Sequence, residues 1–312
     1  MGALAVPSST TTNYQPVTAT STASLTGGNN KHKLIKSFED IFSIKDIQAH
    51  RQTSRTTIIM ASNEIDPHGG VPAASDRPAF IPLEANPELM TSLLHKLGLS
   101  TSLQVHDVYS LTDPDMLAFV PRPALALLMV FPVSAAYESA RLAEDSLLED
   151  YSGKGPLEPV LWFRQTIRNA CGLMGLLHAA INGPARQLVE EGSTLDKIIK
   201  DATPLDPVAR ARVLETNSEL ANAHKSAATQ GDTEAPAATD EVDLHYVCFV
   251  KTEDGGLWEL DGRRKGPLKR GELGKDDDVL SQAALTLGPL KFLERGGGDL
   301  RFSCVALASS FD

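Results

Sequence analysis

The stretch Gln165-Thr-Ile-Arg-Asn-Ala-Cys171-Gly-Leu-Met-Gly-Leu-Leu-His178-Ala-Ala180 changes from a polar loop to an apolar helical run at Cys171. A thiol at that boundary lies where unpaired backbone N–H groups and the positive end of a helix favour the thiolate, which is the form of sulfur that attacks carbonyls. Gln165 lies in the loop before the helix, and from there its side-chain amide can donate to an oxyanion developing over the sulfur. Composition alone also allows Cys171 to be a small buried hydrophobe.

A second region supplies a histidine and a carboxylate. Residues 243–250 predict a strand that contains His245, and residues 256–262 predict the return strand, which contains Asp261. The turn-forming residues at 252–256 make His245 and Asp261 direct cross-strand partners, with a register that the turn can shift by a residue or two. A carboxylate that orients an imidazole, together with a thiol and an upstream glutamine, is the side-chain set of a cysteine hydrolase.

Other polar residues are predicted to be structural or exposed. His178 shares a helical face with Cys171, but seven residues at 1.5 Å rise place it about 10 Å away along the axis, so it is interpreted as a core histidine. His224 is placed in an unstructured loop. A basic cluster after Asp261 is interpreted as a solvated turn; its members are Arg263, Arg264, Lys265, Lys269 and Arg270.

These motifs occur in the order of a known family. Gln-Thr-Ile-x-Asn-Ala-Cys-Gly at 165–172, the histidine at a strand start and Glu-Leu-Asp-Gly-Arg at 259–263 closely resemble the ubiquitin C-terminal hydrolases. Three other segments agree: Pro82-Leu-Glu-Ala-Asn-Pro87, Asp107-Val-Tyr109 and Val120-Pro-Arg-Pro123. The resemblance covers roughly residues 78–310, and it departs mildly from the family pattern at Leu173, where many members have Thr, and at Arg168.

The resemblance assigns a role to each residue of the site. It implies that Cys171 is the nucleophile, that His245 is the general base and acid, and that Asp261 orients His245. It makes Gln165 the oxyanion-hole residue. The activity implied is thiol-dependent hydrolysis of amide or ester adducts at the C-terminal glycine of ubiquitin, with no cofactor and no metal.

The resemblance also implies a fold and a substrate path. The fold is papain-like α+β, with a mainly antiparallel sheet flanked by helices and a knotted backbone. Leu83 and Glu84 are placed beside the basic tail of ubiquitin as substrate-binding residues. The polar segment 223–241 corresponds to a crossover loop that spans the active site, and its limited length favours small or unfolded leaving groups.

Composition sets the domain organisation. Residues 1–59 are expected to be a disordered extension, because residues 1–30 contain no charged residue and eleven Ser or Thr. Residues 60–77 are a Pro/Gly/Ala linker, and residues 78–312 are the catalytic domain. The net charge of −11 argues against nucleic acid or an anionic membrane as partner. Three cysteines indicate a reducing compartment, so a location in the cytoplasm, or also in the nucleus, is expected. The protein is also expected to be a monomer.

Two other functions remain open from the sequence. A Cys-His-Asp acyltransferase acting on small molecules would use the same residues with an acyl pocket. A ubiquitin-binding protein without catalytic activity would use the same surface. Labelling by ubiquitin that carries a C-terminal electrophile separates all three.

Overall fold

The apolar run at residues 124–133 forms the strand on which the fold is built. In the computed structural model this strand, β2, spans Ala126–Pro132, and all seven of its residues are buried. Leu128 and Val130 point into one hydrophobic core, while Leu127 and its alternate neighbours point into a second core on the opposite face. An apolar run without alternating polar residues predicts a central strand buried on both faces, and the structure confirms this prediction.

The sheet has six strands in the order β1-β6-β2-β3-β4-β5, and every neighbouring pair is antiparallel. Besides β2, its strands are β1 Leu103–Asp107, β3 Leu244–Lys251, β4 Gly256–Leu260, β5 Leu268–Glu272 and β6 Ser303–Ser309. The structure describes residues 78–231, 237, 238, 240, 242–295 and 301–311. The predicted extension 1–59 and linker 60–77 lie outside the described residues.

Helices cover both faces of this sheet. They are α1 Pro87–Leu97, α2 Pro114–Leu117, α3 Ala135–Asp145, α4 Cys171–Ile181, α5 Thr194–Ala202, α6 Pro207–Glu215, α7 Ser218–Ala228, α8 Gln282–Leu287 and α9 Pro289–Arg295, with a 3-10 helix at Gly183–Leu188. Buried residues of α1 and α4–α7 form one core, and those of α3, α8 and α9 contribute to the other. The predicted α+β fold with a flanked antiparallel sheet is confirmed, while the knotted backbone path stays a prediction.

The ends of α1 follow from local chemistry. The Asn86 side chain accepts hydrogen bonds from the backbone N–H groups of Glu88 and Leu89, and Pro87 occupies the first helical position. Gly98 ends the helix with φ of 102°, a left-handed conformation that glycine adopts without steric cost. The sequence predicts both ends, because Asn86-Pro87 is typical of a helix start and Gly98 follows the last apolar position of the helical face.

Two helical predictions are wrong. The sequence predicts one helix from Asp206-Pro207 to about Asn222, but there are two: α6 ends at Glu215, and Asn217 caps α7 by accepting from the Leu220 N–H group. Helix α7 continues to Ala228, so the first six residues of the predicted loop 223–241 are helical, and part of the remainder lies outside the described residues. The sequence also predicts one helix over residues 276–294, and this segment is divided between α8 and α9.

Candidate active site

Cys171 is the first residue of α4, as the polar-to-apolar transition predicted. It is partly exposed, whereas Gly172–Ile181 are all buried. Among the described residues no side chain caps this helix, so the N–H groups of its first turn remain available to a negatively charged atom. All three cysteines are described; none is disulfide-bonded, and Cys248 and Cys304 are buried. The alternative of a buried core cysteine therefore fits those two and not Cys171.

The start of α4 is held by close packing on its neighbours. A Cβ atom at Gly172 would lie 3.0 Å from the Leu83 Cβ, so a larger residue there would push the helix start away. The Tyr246 hydroxyl donates to the Leu83 carbonyl at 2.9 Å. Leu83 is only 4% exposed, so its side chain supports the catalytic helix from inside the core. Glu84 is half-buried, and its charge adds to the effect of burial in raising the pKa of Tyr246.

His245 and Asp261 form a buried hydrogen-bonded pair. The distance between His245 Nε2 and Asp261 Oδ1 is 2.8 Å. Cys248 lies opposite Leu260 in the β3–β4 hairpin, and continuing this register places Asp261 opposite Val247. The register is therefore shifted by two residues from direct pairing of His245 with Asp261, which is within the range that the prediction allowed. The two residues are diagonal neighbours on one face, a separation that long side chains still bridge. The tight turn that closes at Thr252 and Gly256 sets this register.

The environment of Asp261 keeps its carboxylate charged. It is fully buried, which alone would raise its pKa, but His245 and the Arg263 backbone N–H group lower the pKa to about 2. That N–H group donates to Oδ1 at 2.8 Å, and the Tyr137 hydroxyl lies 3.4 Å from Oδ2. The Trp162 indole donates to the Asp261 carbonyl at 3.1 Å, which fixes the backbone as well.

His245 connects this carboxylate to the thiol. Burial alone would lower its pKa, but the charge and hydrogen bond of Asp261, together with a hydrogen bond to Cys171, raise the pKa to about 9. Because Nε2 is engaged by Asp261, the other ring nitrogen, Nδ1, faces the sulfur. Phe131 lies opposite His245 in the sheet and contacts its ring edge-on, with 5.9 Å between the ring centres. His245 is therefore oriented on three sides.

Gln165 sits against the turn that follows Asp261. Its backbone N–H group donates to the Gly262 carbonyl at 2.9 Å, and a Cβ atom at Gly262 would lie 2.8 Å from the Gln165 Cβ. Glycine is therefore required for this approach. The Gln165 side-chain N–H donates to the Ile167 carbonyl at 3.3 Å, and its Oε1 is buried with no hydrogen-bond partner among the described residues. This amide is held by one long bond, so it can turn toward a stronger acceptor.

The prediction of a solvated turn after Asp261 is wrong for the arginines of the basic cluster, while Lys269 is exposed as predicted. Arg264 is 3% exposed and donates to Asp145 at 2.7 Å and to Glu144 at 2.8 Å. Arg270 joins Glu144 to the buried Glu259. The acidic residues of α3 are the sequence signal that could have predicted this arrangement, because their negative charges complement the positive charges of the cluster.

This ionic network holds the peptide that supports Asp261. The Arg263 side chain donates to Glu138 at 2.7 Å, and Arg141 donates to the Arg263 carbonyl at 3.2 Å. Arg141 also pairs with Glu138 and Asp145 from within α3. The N–H group that donates to Asp261 therefore belongs to Arg263, whose side chain and carbonyl are both hydrogen-bonded to residues of α3. Sequence reasoning missed this support because the partners are more than a hundred residues apart.

The remaining buried histidines have structural partners. His178 is fully buried, accepts from the Phe163 N–H group at 3.1 Å, and has a pKa lowered to about 4, mainly by burial. Its prediction as a core residue is confirmed. His224 is not in a loop as predicted: it lies buried on α7, bonds the Ile81 carbonyl at 2.8 Å and stacks on Phe80. Four buried apolar residues at helical spacing explain why that segment is helical: Leu220, Ala223, Ala227 and Ala228.

The described part of the chain contains no group of three metal-ligating side chains that could hold an ion. Over the same residues, no helix has the length and apolar character needed to cross a bilayer.

The fold and this site together define a class: an α+β cysteine hydrolase with a Cys171–His245–Asp261 triad. Comparison with known proteins gives the family. Residues 80–287 match the model of ubiquitin carboxyl-terminal hydrolase, family 1. The chain therefore belongs to this family and is a cysteine-type deubiquitinating hydrolase.

Individual relatives agree with this assignment. The chain is 34% identical to ubiquitin carboxyl-terminal hydrolase 3 of Arabidopsis thaliana over 75% of this chain and 96% of that protein. It is 36% identical to isozyme L1 of Rattus norvegicus, over 73% and 98% respectively. Its fold resembles the catalytic domain of Trichinella spiralis UCH37, with a TM-score of 0.57, 22% identity, and coverage of 74% of this chain and 96% of that one.

Proposed function

We propose that this enzyme hydrolyses amide and ester bonds at the C-terminal glycine of ubiquitin, with Cys171 as the nucleophile. The observation that carries the proposal is the partly exposed thiol of Cys171 at a helix start. This thiol is hydrogen-bonded to His245, which is in turn hydrogen-bonded to the buried carboxylate of Asp261. The relatives' names support ubiquitin as substrate. So do two solved structures of Trichinella spiralis UCH37, in which that protein is bound to ubiquitin vinyl methyl ester.

The first step makes the thioester. His245 takes the proton of the Cys171 thiol, and the buried Asp261 carboxylate stabilises the imidazolium that forms, so sulfur attacks as the thiolate. The thiolate attacks the glycine carbonyl carbon, and the carbonyl oxygen becomes an oxyanion. The Gln165 amide and the Cys171 backbone N–H group donate to this oxyanion. Its collapse breaks the bond to the leaving group, which takes the proton from His245 Nδ1.

The second step releases ubiquitin. His245 is now neutral and takes a proton from water at Nδ1, so that the oxygen of the water attacks the thioester carbonyl. The same two donors stabilise the second oxyanion. Collapse expels the Cys171 sulfur and restores its ion pair with His245. Asp261 stays charged throughout, because its pKa of about 2 is far below neutral pH, and it orients the imidazole in both steps.

Leu83 and Glu84 are proposed to guide the ubiquitin tail to Cys171. The Leu83 side chain is buried against α4. In this proposal it therefore holds its own backbone in position for the ubiquitin tail and does not contact the tail through its side chain. Glu84 is half-buried near Tyr246 and supplies a negative charge on the Cys171 side of the domain. Basic residues in the tail would be attracted by this charge.

The leaving group is proposed to be small or unfolded. Since α7 extends to Ala228, the crossover segment is shorter than the sequence predicted. Fifteen residues, 229–243, remain between α7 and β3. At about 3.3–3.6 Å per residue their contour is at most roughly 50 Å. An opening bounded by a segment of that length admits an extended chain more readily than a folded domain. We further propose a monomer in the cytoplasm, or also in the nucleus, without nucleic acid or membrane partners.

Ubiquitin with a C-terminal vinyl ester tests the proposal. It should form one covalent adduct with the wild-type enzyme, mapped to Cys171 by peptide mass spectrometry. Cys171→Ala should form none and still bind unmodified ubiquitin in calorimetry. Binding without labelling of the wild type would indicate a non-catalytic ubiquitin binder. Turnover of small acyl donors without labelling would indicate an acyltransferase instead.

A further inference from the structure

We propose that His178 is a positioning residue for the oxyanion hole: its imidazole fixes the chain segment that carries Gln165 against the helix that carries Cys171. The His178 Nε2 atom accepts from the Phe163 backbone N–H group at 3.1 Å, two residues before Gln165. The inference deepens the proposed function and rests on it, because it concerns how one oxyanion donor is placed over the thiol.

The chain before Gln165 lies beside α4 without belonging to the sheet. Residues 161–166 are in no helix or strand, so their backbone N–H groups need other acceptors. Three of these groups, at every second residue, donate outside the segment. The pairs are Leu161 with Asn182 Oδ1 at 2.7 Å, Phe163 with His178 Nε2 at 3.1 Å, and Gln165 with the Gly262 carbonyl at 2.9 Å. Side chains of α4 and its cap therefore supply two acceptors that a neighbouring strand would otherwise provide.

The spacing of these acceptors matches the spacing of the donors. Asn182, the C-terminal cap of α4, lies four residues after His178, a rise of about 6 Å along the helix. Two residues of extended chain span about 7 Å. The segment therefore runs antiparallel to α4 and nearly in step with it. Two more residues beyond Phe163 bring Gln165 level with the first turn of the helix, where Cys171 lies.

The acceptor role needs a neutral imidazole. Burial lowers the pKa of His178 to about 4, although the charge of Asp261 and the Leu260 carbonyl favour the charged ring. At neutral pH the Nε2 lone pair is therefore free to accept. The Phe163 ring stacks on the imidazole with 6.2 Å between the ring centres, which holds the plane of the acceptor.

The bond should act through Gln165 and not through the thiol and its base. The hydrogen bond between His245 and Asp261 involves no residue of the segment 161–165. The Gln165 side chain, by contrast, donates only one long hydrogen bond, so its position follows that of its backbone. A donor that is displaced or tilted stabilises an oxyanion less. Loss of the Phe163 bond should therefore slow the steps that form an oxyanion.

A double-mutant cycle with Gln165 tests this. His178→Phe keeps a buried ring against Phe163 but has no acceptor. It should lower kcat on a ubiquitin fluorophore amide about tenfold with KM unchanged, because one buried hydrogen bond of the segment is lost. In a Gln165→Ala background the same change should lower kcat less than about twofold, because the donor that it positions is already absent. Equal falls in both backgrounds, or a kcat within about twofold of wild type, would overturn the inference.

Two further readouts separate positioning from general damage. Iodoacetamide alkylates Cys171 by displacement at a saturated carbon, which forms no oxyanion, so its rate in His178→Phe should match that of wild type. His178→Gln returns an acceptor of similar reach and should restore kcat to within about threefold. An alkylation rate that falls in parallel with kcat would place the effect on the thiol and contradict a role through Gln165.

Leu176→Ala is the matched control. Leu176 is fully buried on α4, two residues from His178, so its side chain points to the opposite side of the helix. The variant should lower Tm and leave kcat within about twofold when measured well below Tm. A fall in kcat as large as that of His178→Phe would show that loosening α4 is sufficient, and the specific role of His178 would be lost.

The wild-type enzyme supplies a test that needs no folded variant. An N–H···N hydrogen bond gives a scalar coupling between its two nitrogens in NMR. The labelled protein should show this coupling between the Phe163 backbone nitrogen and His178 Nε2 at neutral pH, and its absence would remove the inference. Covalent labelling by the ubiquitin vinyl ester is scored separately, so labelling at Cys171 with additive effects of His178 would reject the inference and leave the proposed function standing.

Discussion

The two sides of the Cys171–His245 pair are built differently. Behind His245, Asp261 is fully buried and held by a histidine, a backbone N–H group and a peptide fixed by α3. In front, the Asn169 amide donates to the carbonyls of Ala238 and Asp240. The contacts behind His245 are numerous and buried, whereas water can compete for the two bonds of Asn169.

Charge accounts for the difference. A buried carboxylate is costly unless it is paired and hydrogen-bonded, so the site needs the partners that Asp261 has. The arginines of the network are neutralised by acids of α3. The neutral amide of Asn169 needs no such support. Substitutions behind His245 should therefore change both chemistry and stability.

The largest effect is expected at Gln165, the residue proposed to donate to the oxyanion. Gln165→Ala should lower kcat on the order of 10²–10³ with little change in KM, because its amide is strongly used only once negative charge develops. Gln187→Ala is the control, since Gln187 is an exposed glutamine that donates to Glu253. Steady-state kinetics on a ubiquitin fluorophore amide measure both. A Gln165→Ala enzyme within about threefold of wild type would remove this residue from the mechanism.

Asp261→Asn should change the pH profile as well as the rate. The alkaline limb of kcat/KM reports loss of the His245 proton, at about pH 9 in the wild type. Without the carboxylate this limb should move toward 6.5 by at least about one unit. Asp243→Asn, at an exposed acid paired with Arg301, should leave the profile unchanged. An alkaline limb that stays in place would mean that another group controls it.

The same pair makes stability depend on pH. The pKa of His245 is raised, so its stabilisation is complete below its ordinary value of 6.5 and is lost as pH rises through about 9. The pKa of Asp261 is lowered, so its stabilisation is present above 3.8 and is lost as pH falls through about 2. The Tm difference between wild type and Asp261→Asn should therefore be greatest between these limits, from about pH 4 to 6.5.

A smaller effect is expected from the network itself. Arg141→Met keeps the length of the side chain but leaves Glu138 and Asp145 with fewer partners and frees the Arg263 carbonyl. Unfolding free energy should fall by about 3 kcal/mol, as when one partner of a buried ion pair is lost. Denaturant unfolding gives this value, and Lys197→Met, at an exposed pair, should be near wild type. Equal stability of the two variants would show that the network is dispensable.

Glu84→Lys should act on binding rather than on chemistry. KM for ubiquitin substrates is expected to rise more than kcat falls, and its salt dependence should weaken, because the attraction for a basic tail is lost. Glu215→Lys makes the same charge change at an exposed position at the end of α6. If both variants keep the wild-type KM at low and high salt, Glu84 does not contact the tail.

The smallest effect is expected from removing residues 1–59. This segment shows no core-forming pattern, so Tm and kcat should both stay at their wild-type values. Thermal unfolding and kinetics of the shortened chain check this. A fall of several degrees would show that the extension packs on the domain, and the domain boundary at residue 78 would then be wrong.

The sequence by itself determined those features of the protein that depend only on neighbouring residues. The polar-to-apolar transition at Cys171, the cap at Asn86 and the fully apolar β2 each depend on a few successive residues, and each was correct. The family motifs identified Cys171, His245 and Asp261 as a set, because their order along the chain is diagnostic even before their contacts are known.

Tertiary structure decided how the site is supported. The burial of Arg264 and the helical state of residues 223–228 both depend on partners distant in sequence. A run of basic residues looks solvated until acids of another helix neutralise it, and an alanine-rich polar segment looks unstructured until a partner helix covers its apolar side. Charge pairing and burial are properties of the assembled core, so a local reading of the chain cannot supply them.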